Sequence, residues 1–107
     1  MFEEKIKDLV LSSLVVDSYC LGTHWIYDEE QLVNNSIDWN VLNTPMAIWH
    51  KGKTAGDFTH YGDQTLWLYE FLKDKNSFDA KAYEDFWFEK MQTYSGYMDA
   101  SSRNTIE

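Results

Sequence analysis

Gly62-Asp63-Gln64-Thr65, preceded by Gly56-Asp57-Phe58-Thr59-His60-Tyr61 and followed by the apolar run Leu66-Trp67-Leu68-Tyr69-Glu70-Phe71-Leu72, places small and carboxylate side chains at the mouth of a helix. Oxygens delivered there have two uses. They cap the helix through its orphan N–H groups, or they present ligands to a hard cation such as Mg²⁺. The helix starting near Asp63 is apolar almost all round, a pattern that predicts burial on more than one side.

Upstream, Phe2, Ile6, Leu9, Val10, Ser13, Leu14, Asp17 and Cys20 recur at helical spacing, so Phe2 to Leu21 reads as a helix with Gly22 as its C′ stop. Asp28 to Val33 reads as a short second helix, acidic at its start as the macrodipole prefers. From Asn34 to Tyr61 no period is sustained, and a loop this long inside a domain is usually functional. Downstream, Ser77-Phe78-Asp79 opens another helix, with Phe78 set to staple onto Tyr83. Its inner stripe is Tyr83, Phe86, Trp87, Met91 and Tyr94, and Gly96 ends it. Ser101 to Glu107 reads as a further helix start, with Asn104 and Glu107 spaced as a capping box, so the chain is expected to be cut short. No segment alternates as a half-buried strand does, and the expected class is all-α.

Composition excludes some functions. The 107 residues carry a net charge of −9 with nine basic residues and no basic cluster, which argues against nucleic acid. The longest apolar run near the start, Leu9 to Val16, is broken by Ser12 and Ser13, so neither a membrane span nor a signal peptide is expected. Cys20 is the single cysteine, read as a small buried hydrophobe in a reducing, cytoplasmic setting. The five tryptophans and the other aromatic residues, 17% of the chain with them, are read as mostly core. Lys51-Gly52-Lys53-Thr54 matches the tail of a phosphate-binding loop, but Ala47 holds the leading glycine position and no strand precedes it. Asn34-Asn35-Ser36 matches a glycosylation triplet, without meaning in the cytoplasm.

Three stretches in order resemble the ADP-ribosylglycohydrolase superfamily, which includes the dinitrogenase-reductase-activating glycohydrolases. They are Leu14 to Asp28, the Gly62-Asp63-Gln64-Thr65 turn, and Gly96 to Thr105. The resemblance implies an orthogonal all-α bundle, of which residues 1–107 would be the N-terminal portion of a single domain. It also implies Mg²⁺-dependent hydrolysis of an ADP-ribosyl bond, with an ADP-ribosylated protein or a small ADP-ribose derivative as partner. Asp63 is then the catalytic metal ligand, Gln64, Thr65 and His24 contact substrate, and Asp17 supports the site from behind. The family pattern departs here in that Thr-Asp-Asp becomes Gly62-Asp63-Gln64, and His24 stands where a Glu is expected. The alternative is a non-catalytic relative that binds ADP-ribose or a protein. On the residues alone, Asp63 reads equally as a helix cap, Asp17 as a buried acid bonded to a neighbouring loop, and His24 as a hydrogen-bonded structural histidine. His50 and His60 lack metal-ligand spacing and receive no role. With its broad apolar surface, the chain is expected to self-associate or to need further sequence.

Overall fold

The helix that contains Gly62, which starts at His60 rather than near Asp63, is the one on which the others depend. In a computed structural model describing residues 1–35 and 37–107, the order is α1 (Phe2–Leu21), α2 (Glu29–Asn34), a 3₁₀ turn (Ile48–His50), α3 (His60–Leu72), α4 (Ala80–Gln92) and α5 (Ala100–Ile106). Ser36, the last residue of the glycosylation triplet, lies outside the described residues. Among the described residues there is no strand, as expected of an all-α chain. No helix among them is long and apolar enough to cross a membrane.

α3 packs against both α1 and α4. The result is a slab of 48 × 42 × 18 Å with a radius of gyration of 16.0 Å, against about 13 Å for a compact chain of this length. A slab that thin has little interior. Its buried apolar residues are Leu14 and Leu21 of α1, Ala47, Phe71 of α3 and Met91 of α4. Phe71 meets the rings of Tyr83 at 5.2 Å and Phe86 at 5.4 Å, which fixes α3 on the inner stripe of α4.

Thinness also corrects several expectations. The stripe of α1 is covered only in its second half, and Phe2 and Leu9 remain 76% and 70% exposed. Cys20 is exposed rather than buried. α3 is not buried on several sides, since Leu68 and Tyr69 face outward while His60, Gly62 and Phe71 are covered. Trp39 and Trp49 are half exposed, so the tryptophans are not all core.

Helix ends follow local chemistry. The Asp28 side chain accepts from the Glu30 amide at α2, and that of Asp79 from the Ala82 amide at α4. The Phe78 and Tyr83 rings meet at 5.8 Å, the staple the sequence predicts. Replacing Asp79 by Ala is expected to lower the urea midpoint by the equivalent of about 1 kcal/mol, because an orphan amide loses its partner. Three ends differ from expectation. α4 stops at Gln92, before Gly96, and α5 begins at Ala100 under an Asp99 cap rather than at an Asn104–Glu107 box. Gly22 does follow α1, but with a right-handed φ of −56°. Its value lies in close approach, for a Cβ there would meet the Asn43 Cβ at 2.6 Å. The long loop returns to this point, its Met46 amide donating to the Gly22 carbonyl at 3.1 Å.

Candidate functional site

The N-terminus of α3 is built around Thr59, not Asp63. Thr59 is the N-cap, its Oγ1 accepting from the Tyr61 amide at 3.2 Å. It is anchored in turn by Asp17, which projects from α1. The Asp17 carboxylate accepts from the Thr59 amide at 2.8 Å and from Thr59 Oγ1 at 2.6 Å. An acid on the inner side of α1 thus finds its partners 42 residues away, as a half-buried carboxylate must. Gly62 stands directly above this junction. A Cβ on it would overlap the Asp17 carboxylate and lie 2.7 Å from Phe58 Cβ, so the threonine of the family pattern has no room here.

Asp63 is therefore neither the cap nor free. Its Oδ2 is ion-paired with Lys53 and accepts from the Tyr94 hydroxyl at 2.6 Å. The Lys53 and Asp63 side chains are 17% and 19% exposed, so the pair sits in a partly dry setting where its attraction is strengthened. Burial, helped by the bond to Asp63, pushes the Tyr94 hydroxyl far above the usual tyrosine range, so it stays protonated as a donor. Gln64 is equally committed. Its Oε1 accepts from Trp87 Nε1 at 3.0 Å, and its Nε2 donates to Ser102 Oγ at 3.3 Å, joining α3 to α4 and α5. Thr65 bonds back to the Tyr61 carbonyl at 2.8 Å and borders an apolar groove between α1 and α3.

The predicted site residues consequently fall into separate places. Asp17 and His24 line one groove of about 550 Å³ with Val16, Thr59 and Tyr61. Asp63 and Gln64 bond to Lys53, Tyr94, Trp87 and Ser102 instead, and Thr65 lies on the other groove. Among the described residues, no three His, Cys, Asp or Glu side chains are grouped so as to hold a metal ion. The donors of the turn do not suit Mg²⁺. A cation at Asp63 would have to displace an ammonium, and the Gln64 oxygen is already an acceptor for indole.

His24 opens onto a feature with no sequence signal. Past Leu21 the chain makes a tight turn in which Trp25 takes φ 67°, a left-handed conformation that costs an L-residue about 1–2 kcal/mol. Packing holds it there. Its ring stacks on His50 at 5.0 Å and 6° and on His24 at 4.4 Å, and meets Tyr97 edge-on at 4.7 Å. His24 Nδ1 and His50 Nε2 are 2.7 Å apart, sharing one proton. His50 and His60 are 2% and 0% exposed. His50 Nδ1 and both nitrogens of His60 have no hydrogen-bond partner among the described residues, Asp99 Oδ2 lying 3.5 Å from His60 Nε2. Burial lowers all three imidazoles, His50 to about 4 with the added repulsion of His24 and His60. The bond from the Ser102 amide holds the Asp99 carboxyl below its usual range, so it faces His60 as an anion.

Lys53 and the two buried histidines are the residues that sequence reasoning left out. The Lys51-Gly52-Lys53-Thr54 stretch gave no reason to look toward Asp63, and the three histidines are separated by 26 and by ten positions without a repeat.

Comparison with curated proteins adds a relative. The chain is similar to Crystallin J1A of Tripedalia cystophora. Identity is 24% over 106 residues, covering 97% of this chain and 33% of Crystallin J1A, so the chain spans about a third of that relative's length. No protein-family profile and no solved structure matches the chain.

Proposed function

We propose that this chain is part of an ADP-ribosylglycohydrolase-like protein that binds an ADP-ribosyl group without hydrolysing it through the Gly62–Thr65 turn. The observation that carries this reading is the commitment of Asp63 to Lys53 and Tyr94. Metal-assisted attack of water needs a carboxylate free to hold the metal, and here that carboxylate is a structural acceptor. The engagement of Gln64 by Trp87 and Ser102 supports the same reading. The groove beside Asp17 and His24 would receive the ligand. It offers an apolar wall and the exposed Tyr61 ring, suited to a stacked base, while Asp17 and His24 at its edge are already bonded to Thr59 and His50.

The test uses the longest natural protein that carries this chain. Calorimetry with ADP-ribose is expected to show binding that is unchanged by chelation and by Asp63→Ala. Gln64→Asp is expected to confer no gain in Mg²⁺ affinity. Release of ADP-ribose from an ADP-ribosylated acceptor that requires Mg²⁺ and disappears in Asp63→Ala would overturn the reading in favour of the hydrolase.

A further inference from the structure

Lys53 reaches Asp63 from a loop whose hold on the protein runs through His50. The Lys53 amide donates to the His50 carbonyl at 3.0 Å, and the His50 amide donates to the Ala47 carbonyl at 3.1 Å. The His50 ring is wedged against Trp25 and bonded to His24. Three imidazoles from the turn after α1, the 3₁₀ turn and the start of α3 thus pack on one strained tryptophan. Their centroids are 5.0 Å apart for His24 and His50, and 6.3 Å for each of these with His60.

We infer that the His24–His50–His60 cluster is an acid-released latch that holds Lys53 over Asp63 when its imidazoles are neutral and lets the Ala47–Lys53 loop swing away when they take up protons. The inference builds on the reading of Asp63 as masked by Lys53, and adds the condition under which the mask lifts.

The groups facing the cluster are Asp17 from α1, Lys53 from the loop, Tyr61 and Asp63 from α3, and Tyr97 and Asp99 from the segment before α5. Asp17, Asp63 and Asp99 attract a proton to His60, yet burial outweighs them and lowers it. His50 falls from 6.5 to about 4. The sign follows from this direction. In an opened loop His50 binds a proton near 6.5, whereas in the closed cluster it refuses one until about 4, and burial lowers His24 and His60 in the same direction. Closure is therefore fully favoured above about pH 6.5 and is lost as pH falls toward about 4.

The test is hydrogen exchange on the unliganded protein, with the amides of Met46, His50 and Lys53 as reporters and those of α4 as the internal standard. Between about pH 7.5 and about pH 4.5 the reporters are expected to lose about tenfold or more in protection while α4 holds. His50→Phe keeps a ring on Trp25 without a titratable nitrogen, and should weaken the response and leave only what His24 and His60 contribute. Carbon-13 titration of the wild-type imidazoles guards against a variant that does not fold. Loss of protection that tracks His50 and His60 supports the latch. Reporters that stay protected, that open only with the carboxylates, or that respond unchanged in His50→Phe would overturn it. No ADP-ribose or Mg²⁺ is present, so masking is tested separately. Lys53→Met should keep the acid-induced opening, with His50 titrating somewhat higher because the ammonium that helps to lower it is gone, and an unaltered Asp63 carboxyl resonance in that variant would count against the mask and not the latch.

Discussion

Asp17→Ala is expected to destabilise the protein by about 3 kcal/mol. Hydrogen bonds to a charged acceptor are worth about 1.5–3 kcal/mol each, and Asp17 accepts two from Thr59. The lower half of the summed range applies because the carboxylate is only partly buried and because Thr59 keeps its own bond to the Tyr61 amide. Asp17→Asn preserves one acceptor and should lose about half as much. Urea unfolding checks this through a fall in midpoint at constant slope. A loss below about 1 kcal/mol would mean that Thr59 holds α3 without help from α1.

Gly62→Ala is expected to cost about 2–3 kcal/mol, even though alanine is the better helix former by about 1 kcal/mol. Gly62 has no need of a left-handed backbone inside α3. Its hydrogen is there because the Asp17 carboxylate and Phe58 Cβ occupy the space of a methyl group. Combining Gly62→Ala with Asp17→Ala removes one of the two obstacles, so the double variant should fall short of the additive loss by about 1 kcal/mol or more. Strict additivity would show that Phe58 alone sets the limit.

These two residues also show where the sequence is legible. The helices and two of their caps follow from neighbours in the chain. Asp79 and the Phe78–Tyr83 staple act over three to five positions, and the structure has them where the spacing predicts, while Asp28, read as the first residue of α2, is its cap instead. Asp17 as a buried acid bonded to a loop was also readable, since an acid on an apolar stripe must find a partner. The partner itself was not. Lys53 with Asp63, Gln64 with Trp87 and Ser102, and His24 with His50 join positions by three-dimensional closure, and no periodicity records it. Exposure misled for a related reason. The stripe of α1 tells which face is apolar, but only packing tells how far along Phe2, Leu9 and Cys20 anything lies against it.

The slab built on α3 has a consequence for how strength is distributed. α1 and α4 both gain their packing from the same thirteen-residue helix, so the two interfaces act like links in series rather than strands of a rope. A weak α4 side cannot be compensated by a strong α1 side once α3 itself loosens. The first turn of α3, where Thr59, Gly62, Asp63 and Gln64 tie it to α1, the loop, α4 and α5, is then the rivet of the whole plate.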